Sequence, residues 1–158
     1  MQGRKILNGG TTMKPAILFF TLFLFLPASP LWAMEPEAGV IKNITGNATI
    51  GRGEQTLPAA EGIKIHSKDI LVTGPKASMG IIFRDDSTLS MGPETRIVID
   101  DFMFSPGTGK LSFVSKISKG TAAYLSGKIG KLSPGATRVE TPLAVLGIRG
   151  TRFLVEVE

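Results

Sequence analysis

The chain contains no cysteine, one histidine, one tryptophan and one tyrosine. Without cysteine there are no disulfides, no thiol nucleophile and no thiolate metal site, and lipid anchoring through a cysteine behind a leader is excluded as well. Long helical stretches are also missing. Beyond Ala33, glycine and proline interrupt the sequence so often that few runs of ten residues are free of them. A clustered basic stripe is lacking too. The formal charge is +5, but Arg4, Lys5 and Lys14 precede every carboxylate, and beyond Ala33 fifteen Lys and Arg face thirteen Asp and Glu. That near balance, with the charges scattered, argues against electrostatic binding of nucleic acid.

What is present begins with a leader. "MKPAILFFTLFLFLPASPLWA", Met13 to Ala33, has a basic start, an apolar run from Ala16 to Leu26 and a helix-breaking "PASP" before a small residue. This is the layout of a secretory signal peptide, with Ala33 its expected last residue, so residues 1–33 are read as leader and residues 34–158 as the exported domain. The run of eleven residues is short of the ~20 that a spanning helix needs, so no stable membrane span is expected after cleavage. Residues 1–12 read as a loose upstream extension. The expected location is periplasmic or secreted.

From Gly39 onward the hydrophobic pattern has period 2 and not 3.6. Met79, Ile81 and Phe83 alternate with Gly80, Ile82 and Arg84. Ile97 and Ile99 flank Val98, and Leu111, Phe113, Ser115 and Ile117 share one face of "KLSFVSKIS". The closing "RFLVEVE" points Phe153, Val155 and Val157 one way. Turn signals such as "TGN", "TGPK", "RDDS", "SPGTG", "SKG" and "LSGKIG" recur every eight to twelve residues. Such spacing predicts an all-β fold of many short strands, in a compact sandwich or roll or a short irregular β-solenoid. Asp85-Asp86 reads as a tight hairpin turn.

The candidate chemical sites are weak. His66 in "KIHSKD" has Ser67 and Asp69 nearby but no nucleophile elbow, and it reads as an exposed turn histidine. One histidine without cysteine gives no zinc site. "GTAAYLSGKIG" and "GTGKLS" look like phosphate-binding loops but lack the G-x-x-x-x-G-K-[ST] spacing, and no helix is expected after either. Asp85-Asp86 and Asp100-Asp101 lack the alternating spacing of a calcium loop. No enzyme activity, metal or cofactor is therefore expected.

One stretch stands apart: "VETPLAVLGIRGTRFLVEV", Val139 to Val157. Thr141 before Pro142 is held extended, and Pro142 cannot donate to a ladder, so a strand ends or meets an edge there. Arg149 between Gly147 and Gly150 reads as a clasp onto an internal carboxylate such as Asp69 or Asp85, with recognition of an acidic partner as the competing reading. Both flanks read as core strands.

Three pieces in order resemble the periplasmic FecR-type domain: "GVIKNITGNATIGRGE" from Gly39, "GIKIHSKDILVTGPKASMGIIFRDDSTLSMGPETRIVID" from Gly62, and "VETPLAVLGIRGTRF". Asp69, Ile70, Thr73, Gly74, Ser78, Phe83, Asp85 and Ser87 match its middle pattern. Thr141, Pro142, Arg149, Gly150, Thr151 and Phe153 match its T-P-x-x-x-x-x-V-R-G-T-x-F ending. Lys68 and Asp86 stand where that pattern has glycine, and Ile148 replaces valine. Regulators of this type join the periplasmic part to a membrane span and a cytoplasmic part acting on a sigma factor. Here the expectation is a stand-alone FecR-like domain without those parts.

The resemblance implies an interaction module of the cell envelope, linked to signal sensing, whose partner is an envelope protein; the exported domain is expected to be a monomer. A polysaccharide-binding module is the alternative. It would need exposed aromatics, and only Trp32, Tyr124 and a few phenylalanines that look buried are on offer. An unrecognised enzyme is the third reading.

Overall fold

The alternation read from the sequence becomes alternation of burial. Ile97 and Ile99 are fully buried and Val98 half-buried, and Met79, Ile81 and Phe83 are buried on one face of their strand. The computed structural model describes Gly3, residues 36–148 and residues 152–158. Within the unit Ala33–Glu158, twelve strands make one curled, almost wholly antiparallel sheet.

The first strands are β1 (Glu37–Thr45), β2 (Ala48–Arg52), β3 (Gln55–Pro58), β4 (Lys64–His66), β5 (Ile70–Thr73) and β6 (Ser78–Phe83). Then come β7 (Thr88–Met91), β8 (Arg96–Ser105), a 3-10 turn (Pro106–Thr108) and β9 (Lys110–Leu125). A five-residue helix α1 (Lys128–Leu132) precedes β10 (Thr137–Glu140), β11 (Val145–Gly147) and β12 (Arg152–Val157). Residues 1–35 other than Gly3, which include the expected leader, lie outside the described set.

The long strand β9 belongs to both layers of the roll. Its first half pairs with β8 on one side and β10 on the other, and its second half with β7 and β12. One layer therefore runs β4-β1-β6-β7-β9-β12, and the other β3-β2-β5-β8-β9-β10-β11. Phe113 and Tyr124 lie on the same strand, yet their rings stack at 5.2 Å, so the two halves of β9 face each other across the core. Phe83, Phe102 and Phe153 extend this aromatic cluster, with centroids 4.8 to 5.9 Å apart. Such pairs add to the area that each ring buries.

The bend in β9 is at Gly120. Odd-numbered residues face the core up to Ile117, and even-numbered Ala122 and Tyr124 do so beyond it. Gly120 has φ +92, which L side chains rarely adopt. The "SKG" signal read from the sequence as a turn between strands is thus a bend within one strand of sixteen residues. Threonines staple this corner. Thr73 Oγ1 donates to the Gly92 carbonyl at 2.7 Å, Thr95 N donates to Thr73 Oγ1 at 2.9 Å, and Thr121 N donates to Thr95 Oγ1 at 3.0 Å.

Two further expectations need correction. A helix does follow Gly127, because Lys128 N and Ile129 N are held by Asp85 and fully buried Ile129 anchors the turn. His66 is not an exposed turn residue. It ends β4, its side chain is 17% exposed, and its partner across the ladder is Glu37 on β1.

Candidate functional site

Asp69 sits at the start of β5, fully buried. Arg52 at the end of β2 reaches it with two bonds, Nε to Oδ1 at 2.8 Å and Nη2 to Oδ2 at 2.7 Å. His66 N also donates to Oδ2 at 2.8 Å, and the Asp69 carbonyl accepts from Ile99 N at 3.0 Å. The Asp69 carboxylate beside it holds the Arg52 guanidinium above its usual range, a bidentate charge-assisted pair. One carboxylate thus ties β2, β4 and β5 together. The sequence reading missed Arg52 because it lies in "GRGE", which carries only a turn signal.

Lys68, just before Asp69, has φ +67, and Asp86 has φ +64. These are the two positions where glycine was expected, and their left-handed backbone is the physical reason. Lys68→Gly is expected to raise stability by about 0.5 kcal/mol in urea unfolding, since it relieves that strain. The exposed Lys68–Asp100 pair at 2.9 Å that it removes contributes little.

Asp85, also fully buried, pins the β6–β7 turn to α1. Its Oδ1 accepts from Ser87 N at 3.1 Å and from Ser87 Oγ at 2.6 Å, and its Oδ2 accepts from Ile129 N at 3.2 Å. Gly127 must lack a side chain, because a Cβ there would press on the backbone of Asp85 and Ser87. Nearby, Tyr124 Oη and Thr137 Oγ1 are buried without a hydrogen-bond partner.

Burial pushes the Tyr124 hydroxyl from 10 up to about 12. The Ser87 and Thr137 hydroxyls lie near enough to oppose that rise in part, although neither is placed to form a hydrogen bond with Tyr124 Oη, and the Asp85 charge adds to it. Because the folded value is the higher one, this group's stabilisation is complete below about pH 10 and is lost as pH rises toward 12. Tyr124→Phe is expected to abolish that alkaline loss and to leave neutral-pH stability unchanged or up to ~1 kcal/mol higher, since an orphaned hydroxyl is removed. Urea unfolding at about pH 8 and about pH 11 measures both.

The other motif residues are dispersed. Thr73 and Gly74 form the sheet corner, where Gly74 N donates to the Asn47 carbonyl at 2.9 Å. Ser78 is exposed at the start of β6, Phe83 is buried in the aromatic cluster, and Phe153 packs half-buried on Tyr124 at 5.3 Å. No Ser-His-Asp constellation arises. Ser67 Oγ accepts from Phe102 N at 3.1 Å, and Asp69 is taken by Arg52. No group of three metal-ligating side chains occurs among the described residues.

The Thr141-Pro142 break does end a strand. Thr141 N donates to the Ala144 carbonyl at 2.8 Å, and Ala144 N donates to Thr141 Oγ1 at 3.0 Å, closing a turn between β10 and β11. The expectation of core strands on both flanks fails on one side. Leu143, Val145 and Leu146 are 97%, 63% and 37% exposed, and every residue of β11 is exposed. Thr141, Pro142 and Leu143 line a cleft with Glu156, Val157 and Glu158. Arg149, Gly150 and Thr151, the proposed clasp, lie outside the described residues.

In this curled all-β domain the fully buried carboxylates, Asp69 and Asp85, are bonded within the fold, and three of the exposed large apolar side chains, Leu143, Val145 and Leu146, lie together on one hairpin. Comparison with known families matches residues 69–158 to FecR protein, more than half of the chain. The chain belongs to the FecR family, a family of envelope signalling and sensing. The match begins at Asp69, so the likeness seen from Gly39 lies outside it, although β1 pairs with β6 inside the matched range. No curated protein and no solved structure matches the chain. Among the described residues no helix is long and apolar enough to cross a membrane.

Proposed function

We propose that this chain is exported by its N-terminal leader, cut after Ala33, and acts in the bacterial envelope as a protein-interaction module linked to signal sensing. The observation that carries the reading is the β10–β11 hairpin. Three large apolar side chains, Leu143, Val145 and Leu146, stand in water on a turn closed by Thr141, at a cost that a partner's surface would offset. The aromatic side chains of the described residues are buried or half-buried, which leaves no stacking platform for a polysaccharide. The near-neutral charge of the domain favours an apolar contact over an electrostatic one.

The test is affinity capture from an envelope extract with the wild-type chain and with Leu143→Asp/Val145→Lys. Because both side chains are exposed, the double variant is expected to keep its unfolding transition within about 0.5 kcal/mol of wild type. It is expected to lose the captured protein.

A further inference from the structure

The two layers of the roll end one strand apart. β7 and β8 follow one another along one side of β9, so β10 and β12 both lie on its other side, one in each layer. In the first layer β12 is outermost, and its far edge pairs with no strand among the described residues. In the facing layer β11 extends one strand beyond β10. Leu146 is the partner of Val139 across that hairpin, so both side chains point to the same face. Val139 is buried there, yet Leu146 is 37% exposed, because the layer beneath it stops at β12. The step is the width of one β-strand, ~4.8 Å.

We propose that this step accepts an extended strand from a partner protein, added antiparallel to β12 beneath Leu146. The inference rests on the interaction-module reading and names its mode of binding. An added strand would take up the free backbone donors and acceptors of β12, which is how extended segments join exposed sheet edges. Its inward side chains are apolar, lying beside Phe153 and Val155 and under Leu146. Its outward side chains follow from β12, where Arg152, Leu154 and Glu156 face out and Leu154 is 76% exposed. Directly opposed residues on one face interact, so the strand carries a carboxylate opposite Arg152, an apolar residue opposite Leu154 and a cation opposite Glu156. Read from its own N-terminus, an antiparallel partner therefore runs basic, apolar, acidic on its outer face.

The probe is a fluorescent synthetic peptide of alternating valine and outward residues, lysine near its N-terminus and glutamate near its C-terminus. It is titrated into protein purified from cells expressing the full chain. The matched peptide is expected to bind about tenfold more tightly than one with the two charges exchanged, and Arg152→Glu/Glu156→Arg is expected to reverse that preference. N-methylation of the peptide backbone is expected to abolish binding. Unchanged far-UV dichroism of the double variant shows that its sheet is intact. Absent binding, an unreversed preference, or equal binding of the N-methylated peptide overturns the proposal. So does a wild-type dimer dissociated by Arg152→Glu alone, which would give the edge to a second copy. Failure of envelope capture with success of the peptide would count against the envelope partner and leave the strand site standing. The reverse pattern would remove the strand site alone.

Discussion

Gly120→Ala is expected to be among the most damaging single substitutions in the domain, costing about 4 kcal/mol and in part preventing folding. A Cβ on Gly120 would lie 2.5 Å from Thr95 Cα and 2.8 Å from Thr95 Cβ, so the neighbour that must yield is backbone and not the tip of a flexible side chain. The residue's φ of +92 adds strain to the clash. Both penalties fall at the bend that lets β9 serve two layers and brings Phe113 over Tyr124. Gly109→Ala is the control. Its φ is +69 and nothing lies within 4 Å of the added methyl, so it should cost only about 1 kcal/mol. Urea unfolding of the two variants separates steric from conformational cost. Equal losses would mean that the corner is not closely packed.

The second large effect is expected at Asp69. Asp69→Ala removes both acceptors of the Arg52 fork and the acceptor of His66 N. A fully buried, bidentate pair broken on one side costs about 3–5 kcal/mol. Arg52 is about a third exposed and can recover some hydration, which puts the expected loss at the lower end, about 3 kcal/mol, with the unfolding midpoint down by roughly 10 °C. Asp69→Asn keeps the shape and one acceptor and should lose less. If Asp69→Ala left stability unchanged but abolished partner capture, Asp69 would be a recognition residue and the structural reading of this motif would fall.

The sequence made the β class and most of the inward faces readable because a half-buried strand needs a side-chain period of 2, and Met79-Ile81-Phe83, Ile97-Ile99 and Phe113-Ile117 keep it. The family resemblance marked Lys68 and Asp86 as replacing glycine, and both prove to have positive φ. The continuity of β9 was hidden. Glycine within a strand and glycine between strands look the same in one sequence, and only the switch from odd to even burial at Gly120 distinguishes them.

Partnerships across the sheet were equally hidden. Asp69 was visible as a motif residue, but Arg52 lies seventeen residues earlier in a turn, and nothing local joins the two. The hairpin misled for a different reason. Leu143, Ala144, Val145 and Leu146 are as apolar as any core strand, and such an unbroken run of four has no alternation to show which way it faces. Leu143 lies in the turn and Val145 on the outer face, while the exposure of Leu146 follows from the position of β11 one strand beyond the facing layer. That fact of topology is also what makes the hairpin a docking surface in this account.

The most direct measurement compares envelope capture and thermal unfolding for wild type, Leu143→Asp/Val145→Lys and Asp69→Asn, each purified from cells expressing the full chain. The hairpin variant is expected to unfold like wild type and to capture nothing above control. Asp69→Asn is expected to unfold at lower temperature and, below its transition, to capture the same protein as wild type. A hairpin variant that still captured the wild-type partner, or a folded Asp69→Asn that had lost it, would contradict the central claim that recognition belongs to the exposed hairpin and the buried motif residues build the fold.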